Sequence, residues 1–279
     1  MISTHQVHAH HESAMAGWVL PLSVLGVVVL AYLVLARARS VEPRGWSPWR
    51  TFSFLVGAIL LGLGLLPQTS PYPEGGLPAH MYQHLLIGMY APIGLVLGAP
   101  VTLLLRSLPR RQGKMIGRVL RSHLMHFIAH PVTALILSVG GLAVLYFTPL
   151  YEAAARTPAL HVAIHVHFLA AGSLFAWVIA GPDPAPKRPS VPARLVVLGL
   201  AIAGHAVISQ LLCAGLFVQL SAPALELRQA GELMYYAGDI AELLLAFALV
   251  SSWRPARKAQ PNRSTWPGRI APEVEHLGR

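Results

Sequence analysis

Charge is what this sequence has least of. Only 11% of its 279 residues are Asp, Glu, Lys or Arg, under half of the roughly 25% usual for a soluble domain. Acidic residues are the scarcer kind, 11 against 21 Lys and Arg. So few charges cannot dress a water-facing surface of ordinary size, which excludes a soluble globular chain. Cysteine is nearly absent, and Cys213 stands alone. That excludes an intrachain disulfide and any CxxC metal or redox motif. No basic stretch precedes the first apolar run, and Arg37 and Arg39 follow it. The expectation is a retained first helix rather than a cleaved leader.

What the chain does have is apolar length. Hydrophobic residues make up 54% of it. Runs near 17–37, 49–66, 80–105, 127–147, 160–180, 193–218 and 230–252 each approach the ~20 residues that a membrane-spanning helix needs. The predicted fold is therefore all-α: a polytopic membrane bundle of seven transmembrane helices. Pro92 and Pro100 fall inside the third run, where a proline kinks or ends a helix. Gly88, Gly94 and Gly98 on the same run permit close helix packing. The membrane domain spans 17–252, between a His-rich tail (1–16) and a basic, Pro-rich tail (253–279) expected to be disordered.

The basic residues fix an orientation. All of the 21 Lys and Arg except Arg156 and Arg228 fall in the loops 37–50, 106–126 and 181–194 or in the C-terminal tail, which alternation puts on one side. The positive-inside rule makes that side cytoplasmic, with the N-terminus out and the C-terminus in. The net charge of +10 is thus accounted for by topology, and no nucleic-acid partner is expected. Segment 107–125, basic with interspersed Met115, Ile116, Val119 and Leu120, suits an amphipathic helix on the cytoplasmic surface.

Metal-ligand side chains gather at the opposite, outer ends of the helices. His80 and His84 are four residues apart, as are His161 and His165, so each pair shares one helix face. Two facing pairs would place four imidazoles near one ion. Imidazole suits copper or zinc, and the thioether of Met81 tilts the set toward Cu(I). His167, two residues beyond His165, points elsewhere. The plainer alternative is interfacial anchoring, with polar tips among headgroups. Deeper lie Cys213, Gln210, Asp239, His205 and Glu242, the last two ~18–20 Å from the outer ends at 1.5 Å per residue. Ionisable groups at that depth are costly and point to function, or else to a buried pair such as His205 with Glu242 or Asp239. The tail histidines His5, His8, His10 and His11 form a tract of the kind that binds metal. His123, His126 and His130 sit among basic residues that repel cations, and read as interfacial.

These residues carry a resemblance. Pro78-Ala79-His80-Met81-Tyr82-Gln83-His84-Leu85-Leu86, with Ala91-Pro92 and Leu97-Gly98-Ala99-Pro100, resembles the signature of the CtaG family of cytochrome c oxidase assembly factors. His161 to His165, Gly172-Ser173-Leu174-Phe175-Ala176-Trp177 and Gly181-Pro182-Asp183-Pro184 are similar to that family's fifth helix and its exit. Gly231-Glu232-Leu233-Met234-Tyr235-Tyr236 and Gly238-Asp239 resemble its last helix, where the usual pattern is nearer Gly-Gly-x-x-Met-Trp; Glu232 and Tyr235 depart from it. The resemblance covers about 80–252. It implies a seven-helix protein of the bacterial inner membrane that serves haem–copper oxidase subunits and acts in copper provision.

The expectation is then a non-enzymatic assembly factor. Copper is bound at the outer face by His80, His84, His161 and His165, with Met81 and Asp239 as secondary ligands and His205 on an inward route. A periplasmic copper chaperone would be the donor. Two other classes fit the same ligands: a membrane zinc hydrolase built on three histidines and a carboxylate, and a bis-histidine haem electron carrier.

Overall fold

A computed structural model describes the backbone of residues 4–186 and 188–253, with side chains from residue 19 onward. The C-terminal tail and the side chains of the His-rich tail lie outside the described residues. Among the described residues the chain is helical throughout, without strands. In order the helices are α1 (Thr4–Ser40), α2 (Pro48–Leu65), α3 (Leu77–Leu85), α4 (Ala91–Leu97), α5 (Pro100–Ser107), α6 (Arg110–Leu120), α7 (His123–Ile128), α8 (Pro131–Leu135), α9 (Gly141–Phe147), α10 (Leu150–Arg156), α11 (Pro158–Ile179), α12 (Val191–Ala214) and α13 (Ala224–Ser251). A π-helical turn, Leu86–Tyr90, joins α3 to α4, and a second, Ile136–Gly140, joins α8 to α9.

Among the described residues, five helices are long and apolar enough to cross a membrane unaided: Val19–Ser40 within α1, α2, α11, α12 and α13. Two bent assemblies bring the number to seven if each is one span. Leu77–Leu97 meets α5 at 41°, and Pro131–Phe147 meets α10 at 77°. The first covers the third apolar run of the sequence; in the second, Pro131–Phe147 is the fourth run and α10 lies beyond it.

Proline sets the boundaries. α2, α3, α5, α8, α11 and α12 all carry it in their first turn, where its missing N–H costs nothing and its φ is already helical. The bend before α5 follows from the same chemistry. A residue preceding proline is driven out of the right-handed helical region, and Ala99 takes a left-handed conformation at φ 54. The freed amides at the start of α5 are capped from across the bundle by buried Asp183, which accepts from Val101 N at 3.0 Å and Thr102 N at 2.7 Å.

Pro92 acts differently, and the helix continues through it. A proline ring clashes with the carbonyl four residues back, here that of Gly88, and the π turn Leu86–Tyr90 accommodates the pair. The Gly88 carbonyl is lodged against α11, where a Cβ on Gly172 would overlap it. Close contacts of small residues recur between α2 and α4. A Cβ on Gly57 would stand 2.8 Å from Gly94 C, and Ser53 Oγ donates to Gly94 O at 3.0 Å. Such contacts let helix backbones approach in a solvent that supplies little hydrophobic drive of its own.

The largest core cluster surrounds the start of α3, with Leu77, Met81, Tyr146, Phe168, Leu212 and Met234 among its members. Aliphatic and aromatic side chains on the outside, such as Val27 on α1 and Phe247 on α13, are exposed, as lipid contact requires. α6 buries none of its residues. Its Arg110, Arg111, Lys114 and Arg118 alternate with exposed Met115 and Val119, the pattern of a helix lying along a membrane surface.

Candidate metal centre

α3 and α11 begin at the same end of the bundle, each with a proline in its first turn. The first histidine of α3 therefore meets the first turns of α11. His80, His161 and His165 converge so that one ring nitrogen of each lies within 4.8 Å of the others. Ring centroids are 6.1 Å apart from His80 to either partner and 4.4 Å between His161 and His165. Nε2 of His80 and Nε2 of His165 are shut off from solvent and have no hydrogen-bond partner. A buried polar atom left unpaired costs about 1–3 kcal/mol. An ion between the rings would supply all three with a partner, so the donor set fits a single soft or borderline cation. No carboxylate joins this cluster among the described residues.

Tyr151 closes the cluster from the side. It lies on α10, beyond the 77° bend, and meets the His80 ring edge to face at 5.0 Å. Sequence reasoning missed it, because 148–157 reads as a loop between apolar runs and carries no metal-ligand pattern.

The other residues singled out by the sequence are placed as follows. His84 lies one turn deeper than His80, is 3% exposed, and packs edge-on against Phe168 at 4.3 Å. Both of its ring nitrogens are buried without a partner. Met81 turns from the histidines into the core, where its sulfur receives the Tyr146 hydroxyl at 3.8 Å. Asp239 is half-buried on α13 and makes no side-chain hydrogen bond among the described residues. His205 is buried, and its Nδ1 meets Glu242 Oε1 at 2.5 Å. Of the two carboxylates considered as its partner, Glu242 is the one in contact. His167 leaves the cluster, with Nε2 3.2 Å from Leu137 O.

Fold and site together define a class: a multi-pass helical membrane protein with three converging imidazoles at one end. Residues 29–256 match the family described as cytochrome c oxidase caa3 assembly factor (Caa3_CtaG), and the chain belongs to that family. It is also 35% identical over 188 residues to proteins of Mycobacterium bovis and Mycobacterium tuberculosis, and 35% over 190 residues to one of Mycobacterium leprae, all three bearing the name uncharacterized protein. These alignments take in 64%, 64% and 66% of this chain, but only 28% of each relative. The chain thus spans well under a third of the length of the curated relatives it matches. No solved structure matches it.

Proposed function

We propose that this protein is a non-catalytic assembly factor for a haem–copper oxidase of the bacterial plasma membrane. It takes copper as cargo at the end of the bundle opposite the basic loops, the outer face by the positive-inside rule. His80, His161 and His165 receive the ion, and His84 is its next contact inward. The observation that carries this reading is the convergence of three imidazoles from two helices, within 4.8 Å of one another, in a member of an oxidase-assembly family. The ligands are neutral, and neutral imidazoles suit Cu(I) without trapping it as thiolates would. A periplasmic chaperone supplies the metal, and an oxidase subunit receives it.

Two features favour this over the other classes. A zinc hydrolase needs a general base beside its metal, and the cluster has no carboxylate member among the described residues. A haem iron takes two axial ligands, whereas three rings converge here.

The test is copper content and a visible spectrum of the detergent-purified protein after anaerobic loading with Cu(I). A variant with His80, His161 and His165 all changed to alanine is measured beside it. Bound copper that falls in the variant supports the reading. Zinc retained in preference to copper, or a Soret band, overturns it. In cells, the same variant is expected to lower the copper content of the partner oxidase.

A further inference from the structure

The two π-helical turns among the described residues meet at one cavity. Leu86–Tyr90 contributes Gly88 and Met89 to its wall, and Ile136–Gly140 contributes Ser138. The remaining polar wall is His205 from α12 and Glu242 from α13. The cavity measures about 30 Å³, room for one ion or about two waters. π turns are uncommon and concentrate at functional sites. Two of them opening on one cavity is the first observation that sets this place apart.

The second is a buried hydrogen-bonded pair left incomplete. A purely structural pair at this depth would satisfy every polar atom, since a half-satisfied buried charge is worse than none. Glu242 is 2% exposed and its Oε1 meets His205 Nδ1, yet its Oε2 is buried with no partner. The contact at Nδ1 has a consequence for the ring. A carboxylate accepting the Nδ1 proton leaves the lone pair on Nε2, the arrangement that carboxylates impose on metal-binding histidines. Nε2 of His205 makes no hydrogen bond among the described residues.

The third is a soft donor beside them. Met89 lines the cavity, and its thioether lies against Gly238, where an added Cβ would stand 4.0 Å from the sulfur. Above the cavity, the His84 ring lies over Gly88; a Cβ on Gly88 would stand 3.3 Å from His84 Nδ1. His84 thus sits between the triad end and this wall, with both ring nitrogens free.

The geometry points to a second, internal metal station, in which His205 and Met89 bind Cu(I), Glu242 positions His205, and His84 bridges to the outer triad. Its identification as a copper site rests on the proposed function above. Charge balance selects the oxidation state. One carboxylate beside a monovalent ion is neutral overall, the least costly condition deep in a bilayer, whereas a divalent ion would leave a net charge there. Imidazole with thioether is also a Cu(I) donor set.

The test is anaerobic titration of the detergent-purified full chain with Cu(I) against a competing chelator, followed by X-ray absorption at the copper edge. The parent is expected to hold two copper ions per chain, with a sulfur scatterer in the coordination shell. His205→Ala should leave one. Met89→Leu, close in volume and apolar, should keep the fold and remove the sulfur signal. Glu242→Gln should weaken the second site by about 10–100-fold, as loss of a ligand-orienting carboxylate does, and leave the first unchanged. A parent that holds one copper on nitrogen alone, indifferent to His205→Ala and Met89→Leu, overturns the station and leaves the outer site standing. A parent that holds no copper overturns both.

Discussion

Four histidines look alike in the sequence and differ in the structure by what their nitrogens touch. His161 and His165 meet His80 at the mouth of the bundle, and His84 lies below them with no partner at all. His165→Ala removes one of three convergent donors, so Cu(I) affinity should fall by at least tenfold in chelator competition. His126, whose Nδ1 is 3.0 Å from Ser122 O on the surface, is the control: His126→Ala should bind as the parent does. His84 carries a cost in the metal-free protein, because a buried unpaired donor or acceptor loses about 1–3 kcal/mol of solvation. His84→Leu, which removes both orphan atoms, should therefore raise metal-free stability by about 1 kcal/mol. The same variant should show a smaller rise in melting temperature on adding Cu(I), which differential scanning with and without metal would read. A melting temperature that falls in the metal-free variant would count against the unpaired assignment.

At the scale of elements, small residues are placed where backbones nearly touch. Gly172 faces the carbonyl that Pro92 displaces from Gly88. A methyl group there has no flexible neighbour to push aside. Gly172→Ala should cost about 3 kcal/mol or more, at or above the upper end for overpacking, and should lower the yield of folded protein in detergent. Gly26→Ala, which would meet nothing within 4 Å, should not.

The apolar runs and the i, i+4 histidine pairs were legible in the sequence, because hydropathy and helical period depend only on spacing. Spacing gives the face of a helix, but not the height at which a neighbour meets it. That is why α11 supplies two histidines to the triad while α3 supplies one, and why Met81, adjacent to His80, points into the core. The bend at Pro100 was legible, since proline acts on its own neighbours. The π turn ahead of Pro92 and the helix bearing Tyr151 were not, because both answer to tertiary contacts that no local pattern records. The pair of His205 with Glu242 was half legible: depth named the histidine and two possible carboxylates, and only packing chose between them.

The whole molecule is polar in the geometric sense, with the converging histidines at one end and the basic loops at the other. The basic end has its own lock. Glu42, in the loop after α1, accepts from Arg106 of α5 at 2.9 Å and also pairs with Arg39. The hydrogen bond from Arg106, with the nearby charge of Arg39, holds the Glu42 carboxyl below its ordinary value of 4.5. A carboxylate lowered in the folded state contributes stability above its unfolded pKa and loses it as pH falls through the folded one. The contact should therefore persist at neutral pH and release only in acid below the ordinary carboxylate range. Hydrogen exchange of the 41–47 loop against pH should show that onset, and Glu42→Gln should abolish the pH dependence. The contact is part-buried at the protein's surface, where ion pairs contribute little, so the effect is local rather than global.

The π turn between α3 and α4 can also be considered as a matter of phase. An α-helix advances about 100° per residue, and a π turn holds one residue more than its α counterpart. Everything on the His80 side of Leu86–Tyr90 is therefore rotated by about that angle relative to everything on the Pro92 side. The half that bears His80 and the half that packs on α2 each face their own neighbours only because of that offset. Removing a single residue from the turn would leave every side chain of the triad in the sequence and swing His80 about a quarter-turn away from His161 and His165. The spare residue works like the offset in a camshaft: it touches none of the three histidines itself and decides which side of the shaft meets α11.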